Sequence, residues 1–192
     1  MRINGKRASG LAVILAVLGI AFTASTAQAA LDMPLKLYGK VVPTDVYRIG
    51  IAIKQFARDI VKRTADKAAR NTLLSLTANK VSGKKPSDAV QAVYALHDQV
   101  NVLRKQKGLK RIGRYARNDG KVTPAIVYIN AGLALDGLAE ISQQIDSTKN
   151  YGDLFEAPEL SGKSPSDVYA IMNLSYRILA ALTAKPGSAG PS

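Results

Sequence analysis

The 192-residue chain has no cysteine, no tryptophan and a single histidine, His97. The absence of cysteine excludes disulfides, thiolate metal sites, cysteine nucleophiles and attachment of a lipid at a cysteine. One histidine leaves little for imidazole-based catalysis or zinc binding. It could supply one axial ligand to a haem, but no Cys-x-x-Cys-His attachment sequence accompanies it. No Glu-x-x-His pair is present, which disfavours a di-metal carboxylate site. Nor is there a Gly-x-Ser-x-Gly elbow, a phosphate-cradling glycine loop or a dinucleotide fingerprint. These absences lead us to expect no catalytic residues, no cofactor, no metal and no enzymatic activity.

Acidic residues are also few. Lysine and arginine number 27 against 14 aspartates and glutamates, a formal charge of +13. Such an excess bears on association rather than on fold. Aromatic residues make up only 6% of the chain. The interleaved basic and aromatic pattern of a single-strand binder is therefore missing, and the sequence argues against a nucleic-acid partner.

Long apolar runs are confined to the N-terminus. Arg2, Lys6 and Arg7 precede an apolar stretch from Leu11 to Phe22, followed by Ala27-Gln28-Ala29. This is the grammar of a signal peptide over residues 1–29, cleaved before Ala30, and the stretch is short for a transmembrane anchor. The expected location is the periplasm. About 160 residues would remain, with a charge of about +10, enough for one domain with a core of its own. That domain is expected over residues 30–184. Residues 185–192, Lys-Pro-Gly-Ser-Ala-Gly-Pro-Ser, have the composition of a disordered tail.

What is present is a recurrence. Four segments begin alike: Pro43-Thr44-Asp45-Val46-Tyr47, Pro86-Ser87-Asp88-Ala89-Val90, Pro124-Ala125-Ile126-Val127-Tyr128 and Pro165-Ser166-Asp167-Val168-Tyr169. A Gly-Lys lies just before each, at 39–40, 83–84, 120–121 and 162–163, and the prolines are 43, 38 and 41 residues apart. Proline suits the first helical position, Thr123 and Ser164 could cap, and aspartate at the third position meets free backbone N–H groups. The four segments therefore predict four helix starts.

Positions three, seven, ten, fourteen and seventeen after each proline are apolar in eighteen of twenty cases, against about nine expected from the 47% apolar composition. Gly50 and Ser175 are the exceptions. This spacing predicts an all-α fold: a four-helix bundle of four internal repeats whose seams face one core. The competing architecture is an α-solenoid of helical hairpins, which needs a second apolar helix in every repeat. The first helix lacks a proline stop and is expected to continue to Asn79; the others should end near Gly108 and Asp146.

Two features could carry binding. Tyr94, His97 and Asn101 share a face of the second long helix, and Asn173 and Tyr176 hold corresponding positions on the last, with Arg177 adjacent. These six are candidate ligand-binding residues, lining a pocket between two helices into which the small seam residues Gly50, Ala131, Ala134 and Ser175 leave room. A basic run, Arg104, Lys105, Lys107, Lys110, Arg111, Arg114 and Arg117, lies beside Leu109, Ile112 and Tyr115. On a helix it would form a basic amphipathic surface for an anionic membrane or polyanion; otherwise it is a solvated connector. The expected function is a non-enzymatic binding or sensing accessory for a small or surface-bound anionic ligand. The alternative is a structural protein that dimerises, or docks on another envelope protein, through a helix face such as Leu73, Leu74 and Leu76.

Overall fold

The computed structural model describes residues 41–116 and 122–184; the expected signal peptide and tail lie outside them. The all-α expectation holds, with five helices rather than four among the described residues and no strand. They are α1 (Pro43–Thr64), α2 (Lys67–Ser75), α3 (Pro86–Gln106), α4 (Pro124–Ile145) and α5 (Pro165–Thr183), with a 3₁₀ turn at Gly152–Leu154.

The four long helices each start at one of the four recurring prolines. Asp45 accepts from the Val42 N–H at 2.9 Å, Asp88 from that of Lys85 at 2.8 Å, and Asp167 from that of Ser164 at 2.8 Å. Each carboxylate thus ties down the chain entering its helix. The Ser164 hydroxyl also donates to Asp167, at 2.6 Å, and this bond holds the carboxyl below the usual carboxylate range. Thr123 departs from expectation: its side chain makes no capping bond.

The fifth helix arises because α1 stops early. Ala65 is extended, and Asp66 accepts from the Ala69 N–H at 2.8 Å, which caps a new helix. A short side chain that bonds the backbone ahead of it favours a fresh start over continuation. Leu73 is buried in the chain's own core, so the expected apolar edge at 73–76 is not a free surface.

Each long helix packs on two others. Going round, the order is α1, α4, α3, α5 and back to α1. Of the twenty seam positions, all but the half-buried Leu182 are buried. Pro43, Pro86, Pro124 and Pro165 meet around one crevice with Val46, Ala89, Val127 and Val168. All four helices therefore begin at the same end and run parallel. Contacts further along agree: Arg104 of α3 reaches Gly137 and Glu140 of α4, and Gln99 of α3 reaches Thr183 of α5.

Parallel helices require the chain to travel back between them. A 22-residue helix is about 33 Å long, a span that roughly ten extended residues cover. Segments 65–85, 107–123 and 146–164 make these returns. Helix plus return accounts for a recurrence near forty residues. A helix occurs only in the first return, which is α2, so the described residues do not supply the hairpin in every repeat that a solenoid needs.

The small seam residues do not leave room. A Cβ on Gly50 would sit 2.6 Å from Cγ2 of Ile171, so α1 and α5 approach too closely for any side chain there. Ala131, Ala134 and Ser175 are likewise fully buried. Helix α4 is long and apolar enough to cross a membrane, yet more than half of its apolar stretch is buried inside the chain.

Candidate functional site

The two halves of the expected pocket meet different return segments. On α3, Tyr94, His97 and Asn101 face residues 109–116, which form neither helix nor strand. Such a segment has no internal partners for its backbone, and helix side chains supply them. Asn101 accepts from the Ile112 N–H at 2.9 Å and donates to the Ile112 carbonyl at 3.2 Å. The Tyr94 hydroxyl donates to the Tyr115 carbonyl at 3.3 Å. From α4, the buried Asn130 accepts from the Tyr115 N–H and donates to its carbonyl, both at 2.9 Å. Two asparagines thus hold the segment by its main chain.

On α5, Arg177 donates to the Thr77 carbonyl at 2.6 Å and to Asn79 at 3.1 Å, fastening the first return. Asn173 and Tyr176 are half-buried on the same helix. The crevice among the four prolines is apolar and holds only about 10 Å³, at the lower limit for one water and far below a small-molecule site.

His97 is fully buried. Its Nδ1 lies 3.3 Å from the Asn101 amide nitrogen, whose orientation is fixed by the Ile112 N–H on the other side of the amide. Nδ1 therefore accepts, and the ring is neutral with its proton on Nε2. Burial pushes the pKa below the ordinary 6.5; Arg114 and Arg111 push the same way, against the Gly113 backbone and Asp98. A second proton would set N–H against N–H at Asn101.

The sign follows from linkage. The unfolded chain takes up this proton below about pH 6.5 and the folded chain only at lower pH, so stability falls as pH drops through that interval. Below pH 6.5 the expected slope approaches about 1.4 kcal/mol per pH unit at most. Urea titrations across this range should show it, and His97→Gln should flatten it. An unchanged slope in the variant would exclude His97 as its source.

The basic run is not a helical surface. It divides into cations used inside the fold and cations left in water. Arg104 is only 3% exposed; it donates to the carbonyls of Lys110 at 2.7 Å and Gly137 at 3.3 Å, and pairs with Glu140 at 2.7 Å. Arg114 pairs with Asp98, donates to the Tyr94 carbonyl and lies 4.8 Å over the Tyr94 ring. Leu109 and Ile112 are half-buried and Tyr115 is buried, so the apolar edge faces the core. Lys105, Lys110 and Arg111 are exposed, Lys107 is half-buried, and Arg117 lies outside the described residues. An open groove of about 380 Å³ runs between α3 and the segment, lined by Asp98, Asn101, Val102, Lys105, Leu109 and Arg111. Val102 is 44% exposed in it. The Arg111–Asp98 pair across it is loose, at 3.7 Å with both side chains largely in water.

One charged cluster had no counterpart in the sequence reading. Asp59, only 8% exposed, pairs with Arg63 at 2.8 Å and Lys149 at 2.6 Å, and Arg63 also pairs with Asp146 at 2.7 Å. Thr148 and Arg63 hold the Asp146 carboxyl down to about 2. Both cations lie over the Tyr151 ring. The i, i+4 spacing of Asp59 and Arg63 was legible; the return of Lys149 to Asp59 was not. The cluster pins the start of the third return to α1. Among the described residues no group of three metal-ligating side chains converges. No protein family, curated protein or solved structure matches this chain.

Proposed function

We propose that this protein is an exported, non-enzymatic binding module that engages an anionic surface in the cell envelope. On this reading the signal peptide over residues 1–29 delivers it to the periplasm. The four long helices form a four-helix bundle of four repeats, to which α2 is an addition within the first return. Support for the repeats comes from the four proline starts and the buried seams.

The observation that carries the binding reading is the groove beside α3. It combines the exposed cations Lys105 and Arg111 with the exposed apolar Val102. Cations with an apolar residue between them suit a lipid headgroup layer better than a free ion. The polar stripe, by contrast, is occupied in holding the return segments, which turns the reading from an enclosed small ligand towards a surface. The charge of about +10 that remains after cleavage, three less than the +13 of the full chain, favours approach to any anionic layer.

Co-sedimentation with vesicles tests this. Binding is expected to vesicles containing phosphatidylglycerol, to be absent with phosphatidylcholine alone, and to weaken steeply with salt. Replacing both Lys105 and Arg111 by alanine should cost about 2 kcal/mol, roughly thirtyfold in affinity. Equal binding to both vesicle types, or no effect of the double variant, would overturn the reading.

A further inference from the structure

The second return is fastened at separate points along its length. At one end Arg104 holds the Lys110 carbonyl at 2.7 Å. At the other, Arg114 pairs with Asp98, and Asn130 grips both main-chain groups of Tyr115 at 2.9 Å. Between these points residues 111–113 form neither helix nor strand. Their main chain is held through Asn101, which accepts from the Ile112 N–H and donates to the Ile112 carbonyl. An opening confined to this stretch breaks few contacts, so it lies at the low end of the free energies at which a fold opens.

His97 lies beside this fastening. The ring is fully buried, its Nδ1 is 3.3 Å from the same Asn101 amide, and the Gly113 main chain is close enough to act on it. Arg111 and Gly113 are themselves exposed, so the stretch is a thin cover between the ring and water. The Nε2 atom has no hydrogen-bond partner among the described residues. The charges that act on the ring are Arg114 and Arg111 of the return and Asp98 of α3; among the described residues none comes from α4 or α5. Asp98 is already paired with Arg114, and more loosely with Arg111 at 3.7 Å. A second ring proton would thus find no acceptor at Nδ1 and no carboxylate of its own.

We propose that His97 is a proton-operated latch: uptake of a second proton releases residues 111–113 from α3 while the long helices and the fastenings on either side stay in place. Protonation sets N–H at Nδ1 against the NH2 of Asn101. Asn101 can turn its amide over, which sets that NH2 against the Ile112 N–H, or it can move away. Both undo the bond from the Ile112 N–H, and with it the hold on the stretch. Once the stretch lifts, water reaches the ring from the side that Gly113 covered and hydrates the imidazolium. The open form takes up the proton near the ordinary 6.5 and the closed form only at lower pH, since burial is the main influence on the closed ring. Acid therefore favours opening, by up to about tenfold per pH unit below that value. Arg111 lines the groove beside α3 only while the stretch is closed. On the proposed function, on which this consequence rests, acid would weaken the hold on an anionic layer; the latch itself needs no ligand.

Amide exchange followed by NMR, without vesicles, tests the latch whether or not the groove binds anything. The Ile112 amide is the reporter, and the amides of Leu96 and Leu138, buried on α3 and α4, are the reference. After correction for the intrinsic effect of pH, Ile112 is expected to lose protection by about three- to tenfold between pH 7.5 and 5.5. Low urea should leave its rate unchanged while speeding the reference amides, since a local opening exposes little surface. His97→Gln and His97→Asn, uncharged at every pH, should each abolish the fall in protection; helical circular dichroism checks that they fold. Constant protection of Ile112 in the unaltered chain would overturn the latch. So would a fall that persists in a folded variant, or exchange at Ile112 as sensitive to urea as that of the reference amides, which would mean that only global unfolding uncovers the ring.

Discussion

Phe56→Ala will lower the unfolding free energy by about 3–5 kcal/mol, among the largest effects of any single truncation in this chain. Phe56 is fully buried on α1. Its ring stacks on Tyr151 at 5.9 Å and meets Phe155 edge-on at 4.9 Å. It therefore joins two structures, the core among the long helices and the return that crosses α1. Deleting it opens a cavity where neither side can close, because Ile53, Ala57 and Ile60 are fixed on the same helix. A melting temperature lower by about 10 °C or more is expected at this chain length. Phe155→Ala is the comparison. That ring is 48% exposed, so its loss should cost about 1 kcal/mol or less. Equal effects from the two would mean that the third return, not the core, limits stability.

The same residue shows what could be read from the sequence. Helix starts and buried faces were legible because their causes are local. Proline, aspartate and the alternating four-three spacing act within a few residues of one another, and Pro43, Pro86, Pro124 and Pro165 each open a helix as expected. The break at Ala65 was missed because the lack of a proline was taken as continuation, although the capping bond from Asp66 to Ala69 is as local as the others. Direction was not legible. A seam says which face is buried, and Ile53, Leu96, Leu138 and Leu179 would be buried in parallel or antiparallel neighbours alike. The recurrence near forty residues held the clue, being too long for a helix and a tight turn and about right for a helix and an extended return.

What the polar stripe touches was not legible for a different reason. Tyr94, His97 and Asn101 were correctly placed on one face, but what they face is the backbone of residues 109–116, and a backbone that needs partners carries no side-chain signature. Charge misled in the same way. Seven basic residues in a short run look alike in sequence, yet Arg104 is a buried fastener with Lys110, Gly137 and Glu140, while Lys105 is free in water. The donor fork of arginine suits the first task, since it satisfies two carbonyls and a carboxylate at once.

Asn130→Leu is expected to cost about 3 kcal/mol, although it conserves volume and adds apolar surface. Asn130 is fully buried on α4, and its amide meets three backbone groups at 2.9 Å: the Tyr115 N–H, the Tyr115 carbonyl and the Ile126 carbonyl. The Ile126 carbonyl belongs to the helix and the Tyr115 carbonyl also receives the Tyr94 hydroxyl, so the Tyr115 N–H bears most of the loss. Water cannot enter a site this deep to replace the acceptor. Asn101→Leu removes two bonds to Ile112 at a half-buried position, where water can substitute, and the contact with His97 Nδ1. About 1–2 kcal/mol is expected, less than at Asn130. Hydrogen exchange distinguishes the two: Asn130→Leu should expose amides throughout 109–116, whereas Asn101→Leu should affect chiefly Ile112 and its neighbours. The same loosening should weaken binding to anionic vesicles, because Leu109 and Arg111 line the proposed groove only while this segment is held against α3. A variant that loses the clamp but keeps full vesicle affinity would separate the groove from the binding and send the search to the cations outside it.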